Sequence, residues 1–196
     1  KLRSIIMVKK LYSAMNIPLK TRFALFFNNL IYKSIKDSTL GINDNNTSIS
    51  QVLFILPEEV NYSRVVRIFL QSIYNAMGPN PTMNIDYALS KQSIISYEGL
   101  INNPLILFSS DDQNFWELPN NQLINVCKGL EFHAVIDLNP EFNPFATSLT
   151  KYIKANIKIG YYSKYAEKYY NILIERKDTD FLERGNSYII QLLGLK

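Results

Sequence analysis

The stretch FHAVIDLNPEFNPFATSLTKYIKANIKIGYYS, Phe132 to Ser163, sets an acid, Asp137, at the end of an apolar run, with Asn139, Glu141 and Asn143 close behind. A carboxylate followed by amides and a second acid is the material of a catalytic rim, where one acid moves a proton. The same residues also make a well-capped turn. Asn143 precedes Pro144, and asparagine caps a helix whose first position proline fills at no cost in hydrogen bonds. That structural role suffices for Asn143. For Asp137 the preferred reading is likewise an acceptor of hydrogen bonds from neighbouring loops.

Other chemistries have less to work with. His133 is the sole histidine and stands at a strand entrance after Glu131, so a metal site or a histidine-based triad lacks a second ligand or partner. Packing is the better role for it. Cys127, the only cysteine, lies on the apolar face of a short helix and reads as a small buried hydrophobe; it excludes an intrachain disulfide and suits a reducing compartment. SSDD, Ser109 to Asp112, resembles an acidic metal-binding turn only loosely, and helix capping explains it as well. No glycine-rich fingerprint follows any strand, so neither a phosphate loop nor a dinucleotide site is present in standard form, and no cofactor or metal is implied. GYYSKYAEKYYNILIERK interleaves five tyrosines with lysine and arginine. Such a run can stack on bases or sugars, but rings packed over a sheet edge are preferred.

The elements that must position these groups alternate. VLFIL, Val52 to Leu56, is a continuous apolar run, as in a strand buried on both faces. A helix follows, with Val65, Val66, Phe69, Leu70, Ile73, Ala76 and Met77 at helical spacing and Gly78 as its stop. NIDYALS, PLILFS, HAVIDL, NIKIGYY and NILIE supply further strands; a short helix through Leu123 to Lys128 and a closing helix SYIIQLLGL complete the pattern. Val52–Leu56, Leu105–Phe108, Ala134–Leu138 and Asn156–Gly160 are expected to be parallel neighbours in one sheet, giving a Rossmann-like α/β three-layer sandwich with a mainly parallel sheet. Ligands of such sheets collect at the carboxyl ends of the strands. Glu58, Glu59, Ser63, Asp111, Asp137, Asn139 and Tyr161 are expected to converge there. Arg64 belongs to the same rim, since a cation in the first turn of a helix opposes the dipole unless an anion or a neighbouring Glu58 meets it.

Residues 1–36 form a helical extension with a basic fringe of Lys1, Arg3, Lys9, Lys10, Lys20 and Arg22. Pro18 breaks the first helix, Thr21 is placed to cap the second, and Phe23, Phe27, Leu30 and Ile31 form the second apolar stripe. Those stripes are expected to pack on the α/β domain or on a second copy; an anionic membrane surface is the less favoured partner. Residues 37–50 lose periodicity and read as a linker, leaving 51–196 as the domain. The net charge of +4 and pI near 9.0 permit an anionic ligand without demanding nucleic acid. No apolar run reaches the roughly 20 residues of a membrane span, and KLRSIIMVKKLYSAM lacks the apolar length and small-residue site of a signal peptide. The chain is read as cytoplasmic, with peripheral contact with the inner membrane left open.

Over Ser50 to Glu175 the sequence resembles the amino-terminal domain of family 9, heptosyltransferase-like glycosyltransferases, which have the two-domain GT-B fold. The likeness rests on an aspartate-bearing strand, an aliphatic helix, and a small strand in which Lys158, Ile159, Gly160 and Tyr161 match the family's run of basic residue, isoleucine, glycine and aromatic. In that family a glycine-aspartate turn after the first strand carries the proposed general base. Here Pro57, Glu58 and Glu59 occupy the turn. The resemblance therefore offers Glu58 or Glu59 as a substitute base, whereas an acidic pair opening a helix also suits the dipole. Since the family's nucleotide-sugar site lies in a second domain, the resemblance implies an accessory binding or interaction module, working with a protein partner or as a homodimer. A sugar-transferring subunit completed by a partner, and an RNA- or membrane-associated protein using the basic extension, are the alternatives.

Overall fold

A computed structural model describes residues 17–31, 49–79, 81–175 and 182–195. Six strands form one sheet: β1 (Gln51–Ile55), β2 (Asn84–Ser90), β3 (Ile106–Phe108), β4 (Glu131–Asp137), β5 (Lys154–Tyr161) and β6 (Ile172–Ile174). Every pairing is parallel, and the order is β3-β2-β1-β4-β5-β6. All four strands expected as parallel neighbours run parallel in this sheet, but β2 is seated between β1 and β3, so β3 neighbours none of the other three. Five helices accompany them: α1 (Leu19–Ile31), α2 (Val60–Met77), α3 (Asn121–Lys128), α4 (Pro144–Tyr152) and α5 (Leu182–Leu192). A 3-10 segment, Lys91–Tyr97, links β2 to β3, and α5 begins five residues before the start expected at Ser187.

The apolar runs produce this arrangement because parallel strands are covered on both faces. Val52 and Phe54 of β1, with Ala134 and Ile136 of β4, pack beneath α2 and α5; Leu53 and Ile55, with Val135, pack beneath α3 and α4. None of these seven is exposed to solvent. Phe54 meets Phe69 of α2 edge-on at 6.1 Å and stacks near Tyr87 of β2 at 6.3 Å. Burial of one such ring contributes about 1.5–3 kcal/mol. Gly78 ends α2 at φ 68°, a left-handed conformation that glycine adopts without strain.

The extension is seen in part. Residues 1–16 and 32–48, which hold the first helix and most of the linker read from the sequence, lie outside the described residues. Of the stripe expected on α1, only Phe23 has a described side chain, and it departs from the expectation. Ile17, Thr21 and Leu25 are buried, whereas Phe23 is exposed. Thr21 is the third residue of the helix rather than its cap, and its hydroxyl is buried without a partner. Leu25 packs with Leu118, Ala166, Tyr169 and Tyr170, bordered by Phe142. Those residues belong to the loops that leave β3, β4 and β5 at their carboxyl ends, so α1 lies across that edge of the sheet. Among the described residues no helix is long and apolar enough to cross a membrane.

Candidate functional site

Between β1 and β4 the chain changes direction: β1 leads into α2 on one face, and β4 leads into α4 on the other. Helix amino termini then flank a crevice above the ends of β1 and β4, the place where doubly wound sheets bind ligands. Ile55 of β1 is in register with Asp137 of β4, and the Leu138 amide donates to the Ile55 carbonyl at 2.9 Å. Across the mouth, the Tyr62 hydroxyl of α2 donates to Glu141 Oε1 at 3.1 Å. The two loops of the crevice are thereby tied together.

Asp137 sits at the carboxyl end of its strand and is buried. Its Oδ1 accepts from the Asn139 amide at 2.9 Å and from Asn139 Nδ2 at 2.6 Å. Its Oδ2 accepts from the Tyr170 hydroxyl at 2.5 Å, which also contacts Thr147 Oγ1 of α4 at 3.0 Å. Burial raises the Asp137 pKa, and the bonds from Tyr170 and Asn139 oppose that shift by favouring the ionised form. Burial also raises the Tyr170 pKa well above the ordinary phenol value, and the charge of Asp137 adds to the effect. The outcome is a phenol that keeps its proton and donates to Asp137, whose two oxygens are both engaged. A carboxyl group so engaged braces a strand end against a loop and a helix.

Gly160 makes this network possible. A Cβ at that position would come within 2.8 Å of three carbons of the Tyr170 ring. The ring therefore crosses β5 where there is no side chain, and its hydroxyl reaches Asp137. Lys158, two residues earlier on the same side of the strand, donates from Nζ to the Thr150 carbonyl at 2.7 Å and to the Lys151 carbonyl at 3.4 Å. It caps the carboxyl end of α4, where a cation also suits the dipole. Burial lowers its pKa to about 8.

The remaining rim candidates are dispersed. Glu58 is exposed and accepts from Ser90 Oγ, at the carboxyl end of β2, at 3.2 Å. Glu59 is exposed and occupies the cap position of α2 without a side-chain capping bond. Ser63 is buried and returns its hydroxyl to the Val60 carbonyl at 2.9 Å, while Arg64 is exposed on the first turn of α2. Asp111 is exposed in a 3-10 turn, Ser110–Asp112, closed by a capping box between Ser109 and Asp112. Tyr161 lies on the opposite face of β5 from Gly160: its hydroxyl donates to Asn186 Oδ1 at 3.1 Å, and its ring fills the space over Gly185 of α5. Of the predicted set, Asp137 and Asn139 are bonded directly to each other.

Sequence reading missed Tyr170, Thr147, Ser90 and the Tyr62–Glu141 bridge. One signal was present, since glycine inside a strand marks a close approach, and Gly160 is such a glycine. The other expectations fall into place locally. Asn143 Oδ1 accepts from the amides of Phe145 and Ala146 at 3.0 and 3.1 Å, as a cap should. His133 Nδ1 lies 3.2 Å from Ser50 Oγ, and Cys127 is buried with its thiol pKa pushed up to about 11 by that burial. Among the described residues no group of three or more His, Cys, Asp and Glu side chains is placed to hold a metal ion. Comparison with protein-family models, with curated proteins and with solved structures returns no match for this chain.

Proposed function

We propose that this domain is a binding or interaction module rather than an enzyme in its own right, an accessory relative of the amino-terminal half of a GT-B glycosyltransferase. The observation that carries the reading is the state of Asp137. The acid best placed for chemistry at the switch point is buried, and both its oxygens are held by Asn139 and Tyr170. A general base must reach the proton that it removes, and a buried carboxyl group engaged by its own neighbours does not face an approaching acceptor. Two further features support the reading. The turn after β1 holds Pro57, Glu58 and Glu59, and carboxylates at a helix amino terminus repel a phosphate from the donors that would bind it. In addition, α1 lies across the carboxyl-end loops through Leu25, where an acceptor would have to approach.

Calorimetric titration with uridine-, guanosine- and adenosine-diphosphate sugars tests this. The expected result is no binding at micromolar affinity and no hydrolysis. Micromolar binding of any of them would return the domain to the transferase class and reopen the reading of a subunit completed by a partner.

A further inference from the structure

The helices that cover the sheet turn their apolar side chains inward: α2 buries Phe69, Leu70 and Ile73, and α4 buries Phe145 and Leu149. α1 is docked differently. It buries Leu25 but seats Thr21, one turn earlier on the same side, at 1% exposure, and it leaves Leu19 and Phe23 at 69 and 54%. The Thr21 hydroxyl has no hydrogen-bond partner. A hydroxyl taken out of water with nothing to bond costs free energy, and the cost is recovered when the helix lifts and water reaches it. Leu19 and Phe23 contribute little burial in return.

The contacts that hold α1 down are local. Leu25 packs with Leu118, Ala166, Tyr169 and Tyr170 in a cluster separate from both cores of the sheet, with Ala24 and Phe142 at its border. Lys20 Nζ lies 2.8 Å from Glu117 Oε1 and 5.4 Å from the centre of the Phe115 ring. Both members of that ion pair reach solvent, and such pairs are weak in water and weaker in salt. Arg22 Nε donates to the Ile17 carbonyl at 3.0 Å, a bond internal to the segment that travels with it.

The cluster under α1 adjoins the crevice. Phe142 follows Glu141, which accepts from Tyr62 across the mouth. Its ring centre lies 5.5 Å from that of Tyr165 and 6.4 Å from that of Tyr169. Tyr170 continues from there to Asp137 at the end of β4. An aromatic group thus borders the place where a doubly wound sheet takes its ligand, and α1 is seated on it.

We infer that α1 is an autoinhibitory strap: it lifts from the carboxyl-end loops as one piece while the sheet stays folded, and so uncovers Leu118, Phe142 and Tyr169 beside the crevice. Elements that move in regulation are drawn from the low-stability end of a fold, and a docked helix that carries its own mismatch is such an element. The inhibitory sense rests on the reading of the domain as a binding module, because α1 covers the binding edge. The lifting itself does not depend on that reading.

Two substitutions in the 196-residue chain move the strap in opposite directions. Thr21→Val keeps the shape and removes the unbonded hydroxyl, whereas Leu25→Asp puts a charge where the anchor was. Hydrogen exchange read by mass spectrometry is expected to slow about fivefold or more across Leu19 to Phe26 in Thr21→Val. In Leu25→Asp the same peptides are expected to approach the rate of an unstructured peptide. Peptides of β1 and β4 keep their rates in both variants. Hydroxyl-radical oxidation then reports what is uncovered: Leu118 and Tyr169 react faster in Leu25→Asp, and Tyr97, unexposed in the core, does not. Unchanged or faster exchange of α1 in Thr21→Val overturns the inference, because the docked helix then carries no mismatch. Quickening of β1 and β4 along with α1 in Leu25→Asp also overturns it, since helix and sheet then open as one. So does continued protection of Leu118 and Tyr169 once α1 exchanges freely. A nucleotide sugar that binds would defeat the binding-module reading, whereas these rates decide the strap.

Discussion

Asp137 and Tyr170 are separated by 33 positions yet share the shortest bond of the strand-end network. Tyr170→Phe removes the donor while preserving the ring, leaving a buried carboxylate one partner short, and is expected to cost about 1–3 kcal/mol. Asp137→Asn removes the charge that Tyr170 addresses and should cost a similar amount, with the double variant falling short of the sum because both break one bond. Urea denaturation of the four proteins checks this; strict additivity would mean that the two groups do not act together. Gly160→Ala puts a methyl group into the Tyr170 ring, an overpacking that costs about 1–3 kcal/mol. In a Tyr170→Leu background, which removes the ring edge, the penalty of Gly160→Ala should shrink; an equal penalty in both backgrounds would place the clash elsewhere. Asp137 was legible in the sequence as an acid at a strand end, because strand length and hydropathy fix that position. Its partner was not, because the loop after β5 brings Tyr170 back over the sheet by a path that no local pattern encodes.

Elements whose faces are wholly apolar were readable, and elements with two candidate faces were not. Val52–Ile55 of β1 and Ala134–Ile136 of β4 are continuous hydrophobic runs covered on both sides, so their burial follows from composition. In α1 Phe23 looks like part of the core stripe, but it is exposed, and the loops that receive the helix take Thr21 and Leu25 instead. Hydrophobic spacing identifies an amphipathic helix and leaves its docking partner open. The junction of α4 with β5 shows what such contacts do for an element. Lys158 binds the last carbonyls of α4 while burial brings its pKa to about 8, against 10.5 for a free lysine. Between those two pH values the unfolded chain holds a proton that the folded chain has released, so stability rises with pH across that window. Above about pH 10 the buried Tyr170 acts in the opposite sense, since unfolded tyrosine ionises while the folded phenol keeps its proton. Melting temperatures taken in steps from pH 7 to 9 should climb, before the buried Cys127 thiol, pushed up to about 11, opposes the trend; the climb should be reduced in Lys158→Met. An unreduced climb in that variant would assign the effect to another group.

On the scale of the whole chain, the strand order β3-β2-β1-β4-β5-β6 places β1 and β4 at the centre, and most of the largest unexposed side chains belong to them and to the helices that cover them, with Tyr97 of the 3-10 segment beside them. Strand–helix alternation foretold a parallel sheet, yet the reversal between β1 and β4 is decided by which face each helix covers, a property of assembled layers. The extension joins this body differently. α1 contributes Leu25, Ala24 and the unpaired hydroxyl of Thr21 to a small cluster over the loops, separate from the two cores of the sheet. A helix whose described side chains join a small cluster outside the two sheet cores, with a buried hydroxyl left unbonded, opens at a lower free energy than the sheet. Hydrogen exchange followed by mass spectrometry should therefore find peptides of β1 and β4 exchanging last, in step with global unfolding, and peptides spanning Leu19 to Phe26 exchanging at least about a hundredfold sooner. Equal protection of α1 and β1 would make the extension an integral layer of the domain and contradict its description as a separately attached helix.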